Sequence, residues 1–299
     1  MKKILIFSMM AAMFCVNVNA ATLAYWRFED GTNGTAHAGD NDYWYADSSG
    51  NGNAMSTVDS ASRPIATNDV PFSVVPQTAQ ANNLALDFGN WNSYITTTGS
   101  EMIDTKNLSN GWTVEASVKF HSLGAGWPGV ITKTGNPPGP GAPPLFMKLI
   151  VLSPAFLQCD FFSDDGAEHW FDGRSGFGGA GELPVVVDTW YNLAFVYDGT
   201  NVAKFYIKEA TDLAYEWEAT SQQSNIGDAT LHWDEPWVVG CGMWGGSLLD
   251  YADGVIDEVR ISDEPLESAQ FLAIVPEPGL VIGGIALALL AFRKVNRTS

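Results

Sequence analysis

The run Trp190-Tyr191-Asn192-Leu193-Ala194-Phe195-Val196-Tyr197 is followed by Asp198-Gly199-Thr200-Asn201, and then by Val202-Ala203-Lys204-Phe205-Tyr206-Ile207. Two segments rich in β-branched and aromatic residues thus flank a four-residue connection that contains Asp-Gly. This combination predicts a β-hairpin, because Asp-Gly tolerates the backbone angles of a tight turn between strands. Outward from the hairpin the same texture continues. Trp112-Thr113-Val114-Glu115-Ala116-Ser117-Val118-Lys119-Phe120 has the period-2 pattern of a strand with one buried and one wet face. Further strands are expected over 23–28, 84–88, 94–97, 145–152, 159–162 and 255–261. The proline-rich stretch 135–144 is excluded from any central strand, since proline brings no donor to the ladder, and reads as an exposed loop. The stretch 165–181 reads as a loop apart from His169-Trp170-Phe171. One short helix is expected over 265–272, with Ser262 or Asp263 as its cap. Many short strands divided by Gly- and Asp-rich turns point to an all-β chain, an antiparallel two-sheet sandwich or jelly roll.

Both ends read as sorting segments. Lys2 and Lys3 precede an apolar stretch from Ile4 to Val16, and Val18-Asn19-Ala20 supplies a small-residue cleavage site. That is the plan of a secretory signal peptide over residues 1–20. At the other end Val275-Pro276-Glu277-Pro278-Gly279 opens onto an uncharged apolar run, 280–292, followed by Arg293, Lys294 and Arg297. The run is shorter than the roughly 20 residues that span a bilayer core comfortably. The basic end stays cytoplasmic by the positive-inside rule. In this order at a C-terminus, these features resemble the PEP-CTERM protein-sorting domain of Gram-negative bacteria. The resemblance implies a tail over 274–299 with a transmembrane segment at 280–292. It also implies processing near Pro276, Glu277 and Pro278 by an exosortase-type protease. A plain C-terminal anchor, or a buried helix of a soluble domain, is the alternative. The expected route is through the secretion machinery, briefly held in the inner membrane, then to the cell surface or extracellular matrix.

The chain carries 34 acidic against 15 basic residues, a formal net charge of −19. Both ends are basic, so the body over 21–273 is more acidic still. Such a surface repels nucleic acid and anionic lipid. The body holds only Cys159 and Cys241, neither in a CxxC pair, which leaves zinc unsupported. Whether the two thiols pair is open, because sequence does not set their Cα separation. His37, His121, His169 and His232 are scattered without metal-like spacing.

A second resemblance runs through the body. Ala24-Tyr25-Trp26-Arg27-Phe28-Glu29-Asp30-Gly31 is followed by Asp47-Ser48-Ser49-Gly50-Asn51-Gly52-Asn53. The segments 112–118, 190–199 and 254–262 come after it in order. This succession resembles the laminin-G-like (concanavalin A-like) jelly-roll family. Asn192 stands where that family usually has histidine, and Ser117 where it often has tryptophan. The resemblance implies one jelly-roll domain over 21–273 whose first and last strands are neighbours, with Trp26, Phe28, Ile256 and Val259 in the core. It also implies a structural calcium where those strands meet. Asp47, Asn51, Asn53 and Asp257 are the candidate ligands, since calcium takes oxygen donors. A set of Asx turns over 47–53 is the alternative.

Glycoside hydrolysis needs two carboxylates about 5–9.5 Å apart across a cleft. A Glu-x-Asp-x-x-Glu run would supply them from one strand, and none occurs. Asp257 and Glu258 are adjacent, so on a regular strand they face opposite ways. No Gly-x-Ser-x-Gly elbow is present. No enzyme is therefore expected. Trp127, Trp170, Trp233, Trp237 and Trp244 fall in or beside expected loops, where an indole face stacks on a sugar. Asn225, Asp234 and Asp253 are candidate hydrogen-bonding partners there. The alternative is that most tryptophans pack the sandwich. The resulting expectation is an exported, non-catalytic surface or matrix protein whose jelly roll binds carbohydrate, such as extracellular polysaccharide, or protein. A purely structural or adhesive component and a divergent glycoside hydrolase are the alternatives.

Overall fold

The Trp190 hairpin forms part of one sheet of a two-sheet sandwich in the computed structural model. The described residues are 22–274 apart from 37–43, 58–62, 90–91, 125, 136–142, 175–182 and 216–219. In chain order come β1 (Thr22–Trp26), β2 (Trp44–Tyr45), β3 (Met55–Ser56), β4 (Ile65–Thr67), β5 (Ala85–Asp87) and β6 (Ile95–Thr96). Next are β7 (Trp112–Phe120), β8 (Gly129–Lys133), β9 (Leu145–Ile150), β10 (Phe156–Phe162), β11 (Glu168–Asp172) and β12 (Trp190–Tyr197). The last are β13 (Val202–Glu209), β14 (Ser221–Ser224), β15 (Trp237–Val239), β16 (Gly242–Trp244), β17 (Ser247–Leu249) and β18 (Gly254–Ser262). The first sheet runs β14-β13-β12-β7-β18-β5-β4, with β1 also paired to β18. The second runs β11-β10-β9-β8-β15-β6-β3-β2, and β16 with β17 makes a separate hairpin. All these pairings are antiparallel.

The expected signal peptide, 1–20, lies outside the described residues. So do Pro276, Glu277, Pro278 and the apolar run 280–292. Among the described residues no helix is long and apolar enough to cross a membrane.

The sheets meet over an aromatic core. Trp112 of β7 packs on Phe161 of β10 at 5.7 Å and on Phe195 of β12 at 5.5 Å between ring centres. Each such buried side chain contributes about 1.5–3 kcal/mol. Among the described residues three indoles are fully buried, and each places its N–H on a carbonyl: Trp26 on Asn53, Trp112 on Ala229 and Trp237 on Ile103. Burying an indole without such a partner would leave a costly orphan donor. The turn of the β12–β13 hairpin closes on Asp198, whose Oδ1 accepts the amides of Thr200, Asn201 and Val202. Gly199 sits there at φ +78°, and a Cβ would lie 2.5 Å from the Asn110 carbonyl carbon. The first and last strands are neighbours: Tyr25 pairs with Arg260 and Trp26 with Val259. Trp26, Phe28, Ile256 and Val259 are all in the core.

Three sequence expectations need correction. The outward face of β7 is not wet, since all nine residues of the strand are buried. The chain after β18 returns across it: the Leu266 amide donates to Thr113 Oγ1 and the Leu272 amide to Glu115. The same return accounts for the second correction. Residues 265–272 form only a 3-10 turn at Ser268–Gln270, because these long-range anchors, with Phe271 fully buried, keep the segment from continuing as a helix. A one-turn helix occurs elsewhere, at Met102–Thr105. Third, Asp257 and Glu258 are not a simple alternating pair. The β18 register shifts between Asp257 and Arg260, Glu258 takes φ +50°, and both side chains are buried. Cys159 and Cys241 are both buried and free.

Candidate functional site

Strands β9, β10 and β11 alternate strictly. Leu145, Met147, Leu149, Leu157, Cys159, Phe161 and Phe171 point into the core. Their neighbours in sequence face outward and form two rows across the strands. Lys148 pairs with Gln158, which pairs with Asp172, while Phe146 pairs with Asp160, which pairs with Trp170. This outward face is the floor of a cleft of about 610 Å³. The volume suits a small ligand or a few rings of a larger one.

The walls come from outside those strands. The β16–β17 hairpin overhangs the floor and supplies Met243, Trp244 and Leu249. Its two-residue loop is Gly245-Gly246, at φ +59° and +78°, the conformations a tight hairpin demands. The hairpin approaches closely because Gly242 lies on the Phe146 ring, where a Cβ would stand 2.2 Å from Cζ. Trp127 closes another side, and its amide donates to Asp250 Oδ1 at 3.4 Å. Trp127, Trp170 and Trp244 are 51%, 47% and 54% exposed, so each offers a bare indole surface.

The polar groups of the floor are tied together. Lys148 donates to Asp160, and its Nζ lies 4.8 Å from the Phe146 ring centre. Arg174 Nε and Gln158 Nε2 donate to Asp172 Oδ2 at 2.9 and 3.1 Å. Burial pushes the Asp160 carboxyl up to about 6 even with Lys148 beside it. Burial likewise raises the Asp250 carboxyl, against the Trp127 amide and Lys148. Aromatic faces around a floor of fixed donors and acceptors can stack on apolar ring faces and hydrogen-bond hydroxyls at the same time.

The sequence-predicted residues divide accordingly. Trp127, Trp170 and Trp244 come together in this cleft. Trp233 does not join them; it stacks on His232 at 4.5 Å and lies against Gly135. Trp237 is fully buried in the core. Asn225 is bonded to Asn201, and Asp253 to Ser122, away from the floor. Sequence reasoning missed Phe146, Lys148, Gln158 and Asp160, although the apolar–polar alternation of 157–161 was available as a signal for the last two.

Asp47, Asn51 and Asn53 share one turn. Asp47 accepts the amides of Tyr25, Ser49 and Asn53 and the Ser49 hydroxyl. Asn53 Nδ2 donates to the Leu23 carbonyl, and its Oδ1 accepts the Ile103 amide. Asn51 Nδ2 donates to the carbonyls of Thr22 and Leu23. Asp257 faces Asn82 Nδ2 and the Glu258 amide, and none of its hydrogen bonds reaches the Asp47 turn. Among the described residues no group of three or more His, Cys, Asp or Glu side chains is gathered for a metal. A cation held by these four residues would therefore displace protein donors already on Asp47.

Comparison with known proteins agrees with this architecture. No curated protein matches the chain. The binding domain of Paraclostridial Mosquitocidal Protein 1 is similar at 10% identity and a TM-score of 0.53, over 84% of this chain and 50% of that one. The botulinum neurotoxin serotype G binding domain is similar at 11% identity and a TM-score of 0.51, over 83% of this chain and 49% of that one. The chain thus spans about half the length of these toxin domains and shares their fold. Residues 88–270, more than half of the chain, match the family described as the concanavalin A-like lectin/glucanases superfamily. The chain belongs to the concanavalin A-like lectin/glucanases superfamily.

Proposed function

We propose that the protein is an exported, non-catalytic carbohydrate-binding protein that holds sugar in the cleft of Trp127, Trp170 and Trp244. The observation that carries this reading is the convergence of three half-exposed indoles, from three separate segments, over one polar floor. Isolated exposed aromatics are ordinary, whereas several around one cleft serve recognition. Binding rather than bond cleavage is favoured by the state of the floor carboxylates. Asp160 is bonded to Lys148, and Asp172 to Arg174 and Gln158. Both are tied to cations, and Asp250, the further carboxylate on the wall, accepts the Trp127 amide.

The remaining parts of the reading come from the ends of the chain. The signal segment 1–20 carries the protein out, and the tail at Pro276-Glu277-Pro278 passes it through a membrane-bound protease to the surface or matrix. Calcium is not needed for the tryptophan cleft in this reading.

A glycan array probed with the full-length chain and with Trp170→Ala tests the function. Binding to a neutral glycan that the variant loses supports it. Equal binding by both, or none by either, overturns it. Release of reducing ends from any bound glycan would replace binding with catalysis.

A further inference from the structure

A second cleft, of about 600 Å³, lies on the same sheet across the β16–β17 hairpin. The tryptophan cleft sits over β9, β10 and β11, whereas this one sits over β15, β6 and β3. The hairpin packs on β8, the strand between the two sets, and Met243 lines both clefts. One hairpin therefore divides a single face into two compartments of nearly equal size.

The second compartment has its own chemistry. Ser56, Thr96, Thr98 and Thr134 bring hydroxyls, the last three already donating to the Thr97 carbonyl, Glu101 and the Pro236 carbonyl and so offering acceptor oxygens, while Tyr94 brings an aromatic ring and Glu235 brings charge. Gly135 also lines it, and Trp233 lies directly against that glycine. Thus, of the two expected loop tryptophans missing from the first cleft, Trp237 is in the core and Trp233 stands beside the second. Hydroxyl-rich walls with an aromatic ring suit the hydroxyls and ring faces of a sugar.

We propose that the two clefts are consecutive subsites for one extended, uncharged polysaccharide chain that crosses the sheet over the hairpin. This rests on the sugar-binding reading above and adds that the ligand is a polymer. The distance sets a minimum length: five interstrand spacings of about 4.8 Å separate β11 from β6, roughly 24 Å in the plane of the sheet, so a chain that also passes over the hairpin needs at least about five sugar rings. The charge fits as well. Lys148 and Arg174 are each engaged by a carboxylate, while Asp250, Glu235 and a net charge of −19 repel a polyanion.

Titration calorimetry with ladders of linear β-1,3- and β-1,4-linked gluco- and manno-oligosaccharides, from two to about eight rings, tests the proposal on the full-length chain. Affinity should rise about ten-fold or more between short and long oligomers, as a linked second contact requires. Tyr94→Ala should abolish that gain while short oligomers bind as before, and Trp170→Ala should weaken all lengths. If Tyr94→Ala fails to fold by circular dichroism, Thr96→Val takes its place. A length-independent affinity, or a long-chain gain that survives these variants, overturns the polymer proposal and leaves the single-cleft reading standing. If no ladder binds, both fall together.

Discussion

Trp170 and Asp160 stand directly opposite each other on β11 and β10, so an exposed indole and a buried carboxylate form one step of the cleft floor. Asp160 is in turn bonded to Lys148. An indole that is half exposed beside a fixed ion pair is not spent on the core, and under the proposed function its bare face meets the sugar. We expect Trp170→Ala to weaken sugar binding by about 2 kcal/mol, roughly 30-fold, as for an aromatic anchor at the centre of a contact. Trp237→Ala should act differently. It would remove a core side chain and lower the melting temperature steeply, with no specific effect on affinity in the fraction that folds. Calorimetry and thermal melts on the two variants separate these outcomes.

Much of this was legible from residue order alone. The hairpin at 190–207 and the strand 112–120 are long, β-rich and bounded by turn residues, so period and propensity agree. Short strands carry too little pattern: β2 and β3 have two residues each, and Trp237–Val239 looks like a loop beside Pro236, whereas the equally short β6 falls within the expected strand 94–97. The helix expected over 265–272 fails for a tertiary reason, the anchoring of that segment on β7. The tryptophans were visible as candidates. Which of them share a cleft depends on the β16–β17 hairpin folding over β8, and no local signal encodes that contact.

Gly242 is the point on which that hairpin turns. Any side chain there would press on the Phe146 ring, with the nearest ring atom 2.2 Å from the new Cβ. Phe146 is almost fully buried between floor and hairpin and has little room to retreat. Gly242→Ala should cost about 1–3 kcal/mol by overpacking and lift the hairpin from the floor. The measurable result is a lower melting temperature together with weaker sugar binding. A variant that melts like the parent and binds like it would show that the hairpin is not seated on Phe146.

Buried carboxyls set the response to pH. Burial pushes Asp160 up to about 6 and Glu258 up to about 7, against the hydrogen bonds and cations beside them, and burial together with the Glu101 hydrogen bond pushes Asp104 up to about 7. Their folded-state values lie above the unfolded ones, so between about pH 4 and 7 the folded chain holds more protons than the unfolded chain. The stability they contribute is present below the unfolded value and lost as pH rises through 6 to 7. Lys133, pushed down to about 8 by burial, acts in a higher window, where stability rises again above about pH 8. Depressed carboxyls such as Asp69 and Asp198 matter only below about pH 4. Thermal melts should therefore show a higher melting temperature near pH 5.5 than near pH 7.5. Glu258→Gln should flatten that slope.

The turn at Asp47 offers a test of what joins the two ends of the domain. Its carboxylate gathers four donors: the amides of Tyr25, Ser49 and Asn53 and the Ser49 hydroxyl. Through the Tyr25 amide it ties the turn to β1, and β1 is paired to β18. Asp47→Ala would strand these donors and should cost about 1–3 kcal/mol. Asp47→Asn keeps one acceptor oxygen and should lose only part of that. If protein donors alone close the turn, chelator and added calcium leave the parent melt unchanged, and the ranking of the two variants is the same with or without the ion. A melting temperature that rises with calcium in the parent and not in Asp47→Ala would instead assign the turn to a cation, with Asp47 as its ligand.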